Sequence, residues 1–428
     1  MTALNSDLES LVSPKPTFLT PQPPGTELLK SYKEKIRVFQ AIAEASQEAF
    51  ATLSRACSKH LEHKASLRVQ ADFAARNLLT LPQYEFDVLF TGSESQCGGS
   101  WYEIKMTLGE VDARVIEPSD QKVERIALSK RLCEELACTE PKPSRKKGKS
   151  VRLDLSCLVD VPQIAAPIQP DARQSSNDLC DCLRRWRRSP RDQFMAPMMY
   201  SDLKWRKVIT PVREIAPTHN QPQSLRDVLA LLSQNGDLRA LSDLEKTRLA
   251  KTLCIGFLRH HTTDWGRPAW HSGNIFFYEE LQQDQELALV LPKPHIHGRL
   301  CDERHVPDRT IEGISCDDNG TARNRLLFCL GILLLEIAFK RDWDHLREMQ
   351  AHQRSAGGPD TEFKRARSIA RSRQSGMPGQ YHRIAEKLIE CDFAHGCNLQ
   401  EEELQIAFYQ QVIDPLEDLE RKLRSAEI

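Results

Sequence analysis

Apolar residues recur at helical spacing over residues 28–63, at Ile36, Phe39, Ala43, Phe50, Leu53, Cys57 and Leu61. That period predicts a long amphipathic helix opening near Thr26 and Glu27. The period then drops to two. A-S-L-R-V at 65–69, Y-E-F-D-V-L-F at 84–90 and W-Y-E-I-K-M-T-L at 101–108 alternate as strands do. Turn-rich stretches such as 92–99 separate them. A further helix is expected over 122–138, with Val123, Ile126, Ala127, Leu132 and Leu136 on one side. Residues 151–159 and 204–209 read as strands, and 176–187 as a short helix.

From Ser224 the pattern becomes mostly helical. Ser224 is placed to cap a helix over 225–232. Ser242 and Glu245 form a capping box, in which each side chain reaches the other's backbone amide. The helix it opens runs to about His261, with Leu249, Leu253, Phe257 and Leu258 on its apolar side. Two short strands follow, at 274–278 and 287–291. The apolar run 326–339, broken by Gly331 and Glu336, is too short to span a bilayer comfortably and reads as a buried core helix. Helices near 380–391 and 401–424 close the chain. Residues 1–26, with Pro14, Pro16, Pro21, Pro23 and Pro24, read as a disordered tail. The expected division is therefore tail 1–26, a helix plus α/β region over 27–215, and a helical region over 216–428.

The composition narrows the class. Of 428 residues, 40% are apolar and 28% charged, an ordinary globular balance. The net charge of -1 gives no overall field toward nucleic acid or anionic membrane. Nucleic-acid binding would need a local patch, and no membrane span is expected. The 13 cysteines include no C-x-x-C pair, which suits small buried hydrophobes in a reducing compartment. The N-terminus has no secretory pattern. The expected location is the cytoplasm, with the nucleus as the alternative.

The element order from 224 onward resembles the C-lobe of a protein kinase. S-L-R-D-V-L at 224–229 resembles the short helix after the hinge. Residues 248–261 are similar to the helix leading into the catalytic loop. N-I-F-F from Asn274 resembles the N-I-L that ends that loop, and C-L-G-I-L-L-L-E-I from Cys329 resembles the central buried helix. A closer resemblance is to a large fungal family of unknown-function proteins. Its members carry a degenerate kinase-like domain, often beside a HeLo-like prion-inhibition domain. The shared motifs here are R-H-H-T-T-D-W at 259–265 with Trp270, L-G-I-L-L-L-E at 330–336, V-I-D-P-L-E at 412–417, and D-L-C from Asp178. The resemblance runs from about residue 30 to the end. It implies an α+β, protein-kinase-like fold with a small, partly β N-terminal lobe and a mostly helical C-terminal lobe.

Phosphoryl transfer needs held phosphates, a lysine on them, metal-binding acids and a base for the hydroxyl. If Asn274 ends the catalytic loop, the base position is Ala269, whose methyl group accepts no proton. Asp264 is the nearby acid at the wrong spacing. The stretch after 290, L-P-K-P-H-I, has no D-F-G acid. No G-x-G-x-x-G or Walker motif occurs. Lys105, in Y-E-I-K, is positioned as a V-A-I-K lysine would be, with Glu134 or Glu135 as its partner; the competing reading is a solvent-facing lysine. Lys105, Glu134, Asn274 and Asp264 are thus the residues of a vestigial cleft. No catalytic residue, cofactor or metal ligand set is assigned.

Other constellations read as structural first. Cys57, His60 and His63 share a helix, and Cys391, His395 and Cys397 share a short segment, but neither makes a closed zinc set. His260, His261 and His271 read as local hydrogen-bonding groups. R-K-K-G-K at 145–149 is a solvated loop or a nuclear localisation signal. R-R-W-R-R at 184–188 is a helix end with arginines around a packed Trp186, or a base-stacking patch. The leading expectation is a non-catalytic, pseudokinase-type module with protein partners. ATP binding by an atypical phosphotransferase, and a nuclear regulator using the basic segments, are the alternatives.

Overall fold

A computed structural model describes residues 26–56, 62–70, 83–91, 101–110, 178–188, 198–201, 204–215, 222–234, 241–266, 270–281, 287–289, 293–301, 322–351 and 361–427. The architecture is α+β. Several sequence expectations lie outside the described residues: the N-terminal tail, the helix over 122–138, the strand over 151–159, the 145–149 loop, Glu134 and Ala269.

The chain divides into two compact units. The first comprises residues 1–74, 86–105 and 211–428, and the second residues 75–85 and 106–210. In the first unit, helix α1 (Thr26–Arg55) buries Tyr32, Ile36, Phe39, Ile42, Ala49 and Leu53. Those positions recur about every three and a half residues, so one stripe faces inward. Its strands are β1 (Glu62–Arg68), β6 (Gln223–Ser224), β7 (Ile275–Phe277) and β10 (His295–Cys301), with β2 (Gln83–Thr91), β3 (Trp101–Glu110) and β5 (Trp205–Ile215), whose residues 83–85, 106–110 and 205–210 belong to the second unit. They line up in the order β5-β3-β2-β1-β10-β7-β6. β1 pairs antiparallel with both β10 and β2, and β7 antiparallel with both β10 and β6. Strands from early and late in the chain therefore share one sheet. β8 (Glu279–Leu281) and β9 (Leu287–Leu289) make a separate hairpin.

β10 was not expected. Its sequence, H-I-H-G-R-L-C, alternates, but the alternate positions are histidine and arginine, and a glycine interrupts it. Its Ile296, Gly298 and Leu300 share one face; a Cβ on Gly298 would lie 2.7 Å from Phe50 and 2.9 Å from Trp265. That glycine lets the ring of Trp265 sit against the strand.

The helices of the first unit are α3 (Leu225–Gln234), α4 (Asp243–His260), α5 (Arg325–Phe339), α6 (Trp343–Ala351), α7 (Glu362–Ser372), α8 (Gly379–Glu390), α9 (Glu402–Phe408) and α10 (Asp414–Ala426). The capping box that opens α4 is present: Glu245 N–H donates to Ser242 Oγ at 3.2 Å and Ser242 N–H to Glu245 Oε2 at 2.7 Å. α5 is buried from Leu327 to Ala338. Among the described residues no helix is long and apolar enough to cross a membrane. α6 and α7 were not expected, because their charged residues dilute the apolar period. A π-helical turn (Tyr409–Ile413) joins α9 to α10. It ends just before Pro415, which lacks the N–H that a regular α-helical ladder would use there.

In the second unit, Asp178 caps α2 (Leu179–Arg188): its Oδ1 accepts from the amides of Cys180 at 3.0 Å and Asp181 at 3.3 Å. β4 (Met198–Ser201) pairs antiparallel with β5, and Tyr84 packs edge-on to Trp205 with ring centroids 5.9 Å apart.

The tightest approach in the helical part is at Gly331 of α5. A Cβ there would meet Ile389 Cγ1 at 2.7 Å and the backbone of α8 at 3.1 and 3.2 Å. Gly331→Ala is expected to cost about 1–3 kcal/mol through overpacking. Gly109→Ala, where nothing lies within 4 Å, is the matched control and should stay within about 1 kcal/mol. Urea midpoints of the two variants check this.

Candidate functional site

The stretch after α4 is where the kinase resemblance places its catalytic loop. The chain leaves α4 through a tight turn: Thr263 N–H donates to His260 O at 3.0 Å and Gly266 N–H to Thr263 O at 2.9 Å. A Cβ on Gly266 would fall 2.0 Å from His260 O, so only glycine fits.

This turn is held by two consecutive residues of α1. Gln47 Nε2 donates to Asp264 Oδ2 at 2.6 Å, and Asp264 N–H donates to Gln47 Oε1 at 2.8 Å. Trp265 Nε1 donates to Ser46 O at 3.0 Å, and Ser46 Oγ lies 3.1 Å from His260 Nδ1. One turn further along α1, Phe50 packs edge-on against Trp265 at 5.0 Å. Burial, with Arg259 and His261 nearby, pushes His260 down from 6.5 to about 3, so its ring is neutral.

The second half of the loop is anchored elsewhere. Glu336, the one acid in the apolar helix α5, is 2% exposed. Its Oε1 accepts from Ser272 Oγ at 2.8 Å and from Trp343 N–H at 2.8 Å. Burial pushes this carboxyl up from 4.5 to about 7, against the opposing pull of those two hydrogen bonds. Gly273 N–H donates to His271 Nδ1 at 3.1 Å, and Asn274 N–H to His271 O at 2.9 Å. His261 Nδ1 lies 3.1 Å from Leu258 O.

β1, β7 and β10 carry a second polar cluster. Ser66 and His297 are direct cross-strand partners, as are His295 and Phe276. Ser66 Oγ lies 2.9 Å from Tyr278 Oη, which lies 3.3 Å from His297 Nε2. The His297 ring stacks on Phe276 with centroids 3.7 Å apart, and Trp101 lies on both His297 and Tyr278. Burial raises the Tyr278 phenol well above its ordinary value, so it stays protonated and serves as a donor. Burial pushes His295 down to about 3, helped by Arg68, His297 and Lys293. A Ser–Tyr–His chain suggests nucleophilic chemistry, but Ser66 is 0% exposed and offers no approach to a substrate.

Of the residues singled out from sequence, Asp264 lies in the α1-held turn. Asn274 ends the 3-10 turn Ser272–Asn274 that leads into β7. Lys105 lies on β3, half-buried. β2, β1 and β10 intervene between β3 and β7, a separation of about 19 Å counted across the strands. Glu134 lies outside the described residues. His63 Nδ1 lies 2.9 Å from Thr91 O. Among the described residues no group of three or more His, Cys, Asp or Glu is placed to hold a metal ion. Sequence reasoning missed Ser46, Gln47, Ser272 and Glu336. Ser46 had a signal, since it is a polar residue on the inward stripe of α1.

These features define an α+β protein whose long first helix holds the turn after α4. The chain belongs to the family described as Domain of unknown function (DUF7580), whose profile matches residues 33–421. No curated protein and no solved structure matches it.

Gln47→Ala removes both bonds to Asp264 and is expected to cost about 1–3 kcal/mol, read from the urea midpoint. The buried titratable groups also set a pH dependence. His260 and His295 are lowered, so their contribution is complete above 6.5 and is lost as pH falls toward 3. Glu336 is raised, so its contribution is complete below 4.5 and is lost as pH rises through 7. Between pH 6.5 and 4.5 the two histidines outweigh the one carboxyl. Stability should fall on acidification by about 1.4 kcal/mol per pH unit for each net proton. His260→Asn should flatten the slope by one proton in urea titrations across that range.

Proposed function

We propose that the chain is a non-catalytic, pseudokinase-type interaction module that binds protein partners. The support for a kinase-like ancestry is the order of elements and motifs from Ser224 to Glu417. The observation that carries the non-catalytic reading is the two-bond clasp of Gln47 on Asp264. A general base must turn its carboxylate toward a substrate proton. Asp264, the acid nearest the expected catalytic loop, directs its Oδ2 and its amide into α1. Its neighbours His260 and Trp265 are likewise bonded to Ser46. The polar groups of this loop serve cohesion. By family resemblance the module acts in fungal signalling or self-recognition.

Purified full-length protein is expected to show no thermal stabilisation by millimolar Mg-ATP. A site saturated at a hundred times its Kd would add about 2.7 kcal/mol, a readily measured shift. Mg-ATP-dependent phosphorylation that Asp264→Asn abolishes, in a variant that retains the native circular dichroism, would replace this reading with an atypical phosphotransferase.

A further inference from the structure

The segment after α8 departs from what a simple helix end requires. The residue just past a helix commonly adopts the left-handed conformation and is then usually glycine. Here it is Cys391, at φ 50 and ψ 45, with its amide donating back to Leu388 and Lys387 carbonyls. Ala394 (φ 61) and Gly396 (φ 58) are left-handed as well. These three residues fold the chain back on itself. The Cys391 Sγ donates toward Gly396 O at 3.9 Å, so the sulfur lies beside the peptide that begins Cys397. Peptide geometry then puts the Cα of Cys397 within about 7 Å of that sulfur. In a disulfide each sulfur lies about 4 Å from its partner's Cα, so a shift of up to about 3 Å in the loop that carries the exposed Cys397 closes the pair. Cys391 is buried and Cys397 exposed.

We propose that Cys391 and Cys397 are a reversible thiol–disulfide pair, oxidised by hydroperoxides. This stands independently of the pseudokinase reading. The exposed Cys397 reacts first: its thiolate attacks one peroxide oxygen, the O–O bond breaks, and the hydroxide that leaves takes up the proton the thiol gave up, so that a sulfenic acid and water result. The Cys391 sulfur then attacks that sulfenic sulfur, the S–O bond breaks and the S–S bond forms. Hydroxide leaves and takes up the proton lost by Cys391, giving a second water. Two thiols lose two electrons and one hydrogen peroxide gains them. The division of labour follows the surroundings. Cys391 is buried and its thiol raised by that burial, with Cys397 and Asp392 adding to the shift, so the exposed Cys397 is the sulfur that meets peroxide first. The placement gives oxidation a route to the core. Asn324 Nδ2 donates to Cys397 O at 2.7 Å, while its Oδ1 accepts from Leu327 N–H at 3.0 Å and caps α5. Closing the pair moves the carbonyl that holds the cap of the central helix.

The test uses full-length protein treated with a small excess of hydrogen peroxide, then alkylation, trypsin and mass spectrometry. No Lys or Arg lies between the two cysteines, so one tryptic peptide carries both. The expected product is that peptide lacking two hydrogens, unalkylated at both positions and restored by dithiothreitol. In Cys391→Ser the same treatment should drive Cys397 to sulfinic and sulfonic acids that dithiothreitol does not restore. Cys397→Ser changes an exposed side chain and keeps the test open if the first variant misfolds; its Cys391 should remain a thiol. The proposal is overturned if wild-type Cys397 over-oxidises as fast as in Cys391→Ser. It is also overturned if Cys391 oxidises as fast in Cys397→Ser as in wild type.

Discussion

The turn at residues 260–266 presents buried polar groups that must find partners, and α1 supplies them. Ser46 and Gln47 between them engage His260, the side chain and amide of Asp264, and the indole of Trp265. Leaving such groups unmet in the interior costs about 1–3 kcal/mol each. The clasp therefore fixes α1 more firmly than its apolar stripe alone would. It also closes a loop of 217 residues between Gln47 and Asp264, so it forms only when most of the chain has assembled. The far end of α1 is tied to the C-terminal helices in the same manner. Tyr32 donates to Asp414, Lys35 to Tyr409 at 3.2 Å, and Gln40 to Gln405 at 3.2 Å. One helix thus joins the turn after α4 to the end of the chain. Its inner stripe backs the face of β10 that carries Gly298.

The titratable groups follow the same economy of internal ties. Glu336 sits within α5, where a carboxyl would normally be excluded, because Ser272 and the first amide of α6 both need its acceptor. Glu420, on α10, accepts from Arg248 at 3.1 Å and Lys251 at 2.7 Å, which fastens the last helix to α4. The surrounding cations hold that carboxyl below its usual range in spite of burial. At Glu336 burial outweighs the pull of Ser272, the Trp343 amide and Arg226, and the carboxyl is pushed up to about 7. Two buried acids in one fold thus titrate in opposite directions, each according to its neighbours.

The parts of the fold legible in sequence are those where one local rule acts alone. The capping box at Ser242 and Glu245, the apolar α5 and the stripe of α1 could each be read from a short window. β10 could not, because its strand character comes from its neighbours. His295 is accommodated edge-on to Tyr278 and His297 by stacking on Phe276. The site was legible only on one side. The histidines and Asp264 stood out as polar residues near two tryptophans. Ser46 and Gln47, which decide what those residues do, look like ordinary helix residues until the long-range pairing is seen. Placing Lys105 and Asn274 in one cleft relied on the expected kinase frame. Lys105 lies on β3 and Asn274 leads into β7, with β2, β1 and β10 between those strands.

On the proposed reading, the anchoring of the turn after α4 also bears on how the chain serves as a binding module. An enzyme cleft keeps polar groups facing a solvent-filled gap, where they cost stability and wait for substrate. In this chain Asp264 and Trp265 bond to α1, and Ser272 bonds to Glu336 of α5. Each group so used adds cohesion and leaves the gap. On the proposed reading, a scaffold of this kind gains rigidity at the place where catalysis would need freedom. On the proposed reading, partner specificity then resides in the outer surfaces of the helices, which can change without disturbing the clasp. The cap of α5 is the exception. Asn324 depends on a carbonyl in the exposed loop that follows α8, so a chemical change at the surface can reach the buried helix.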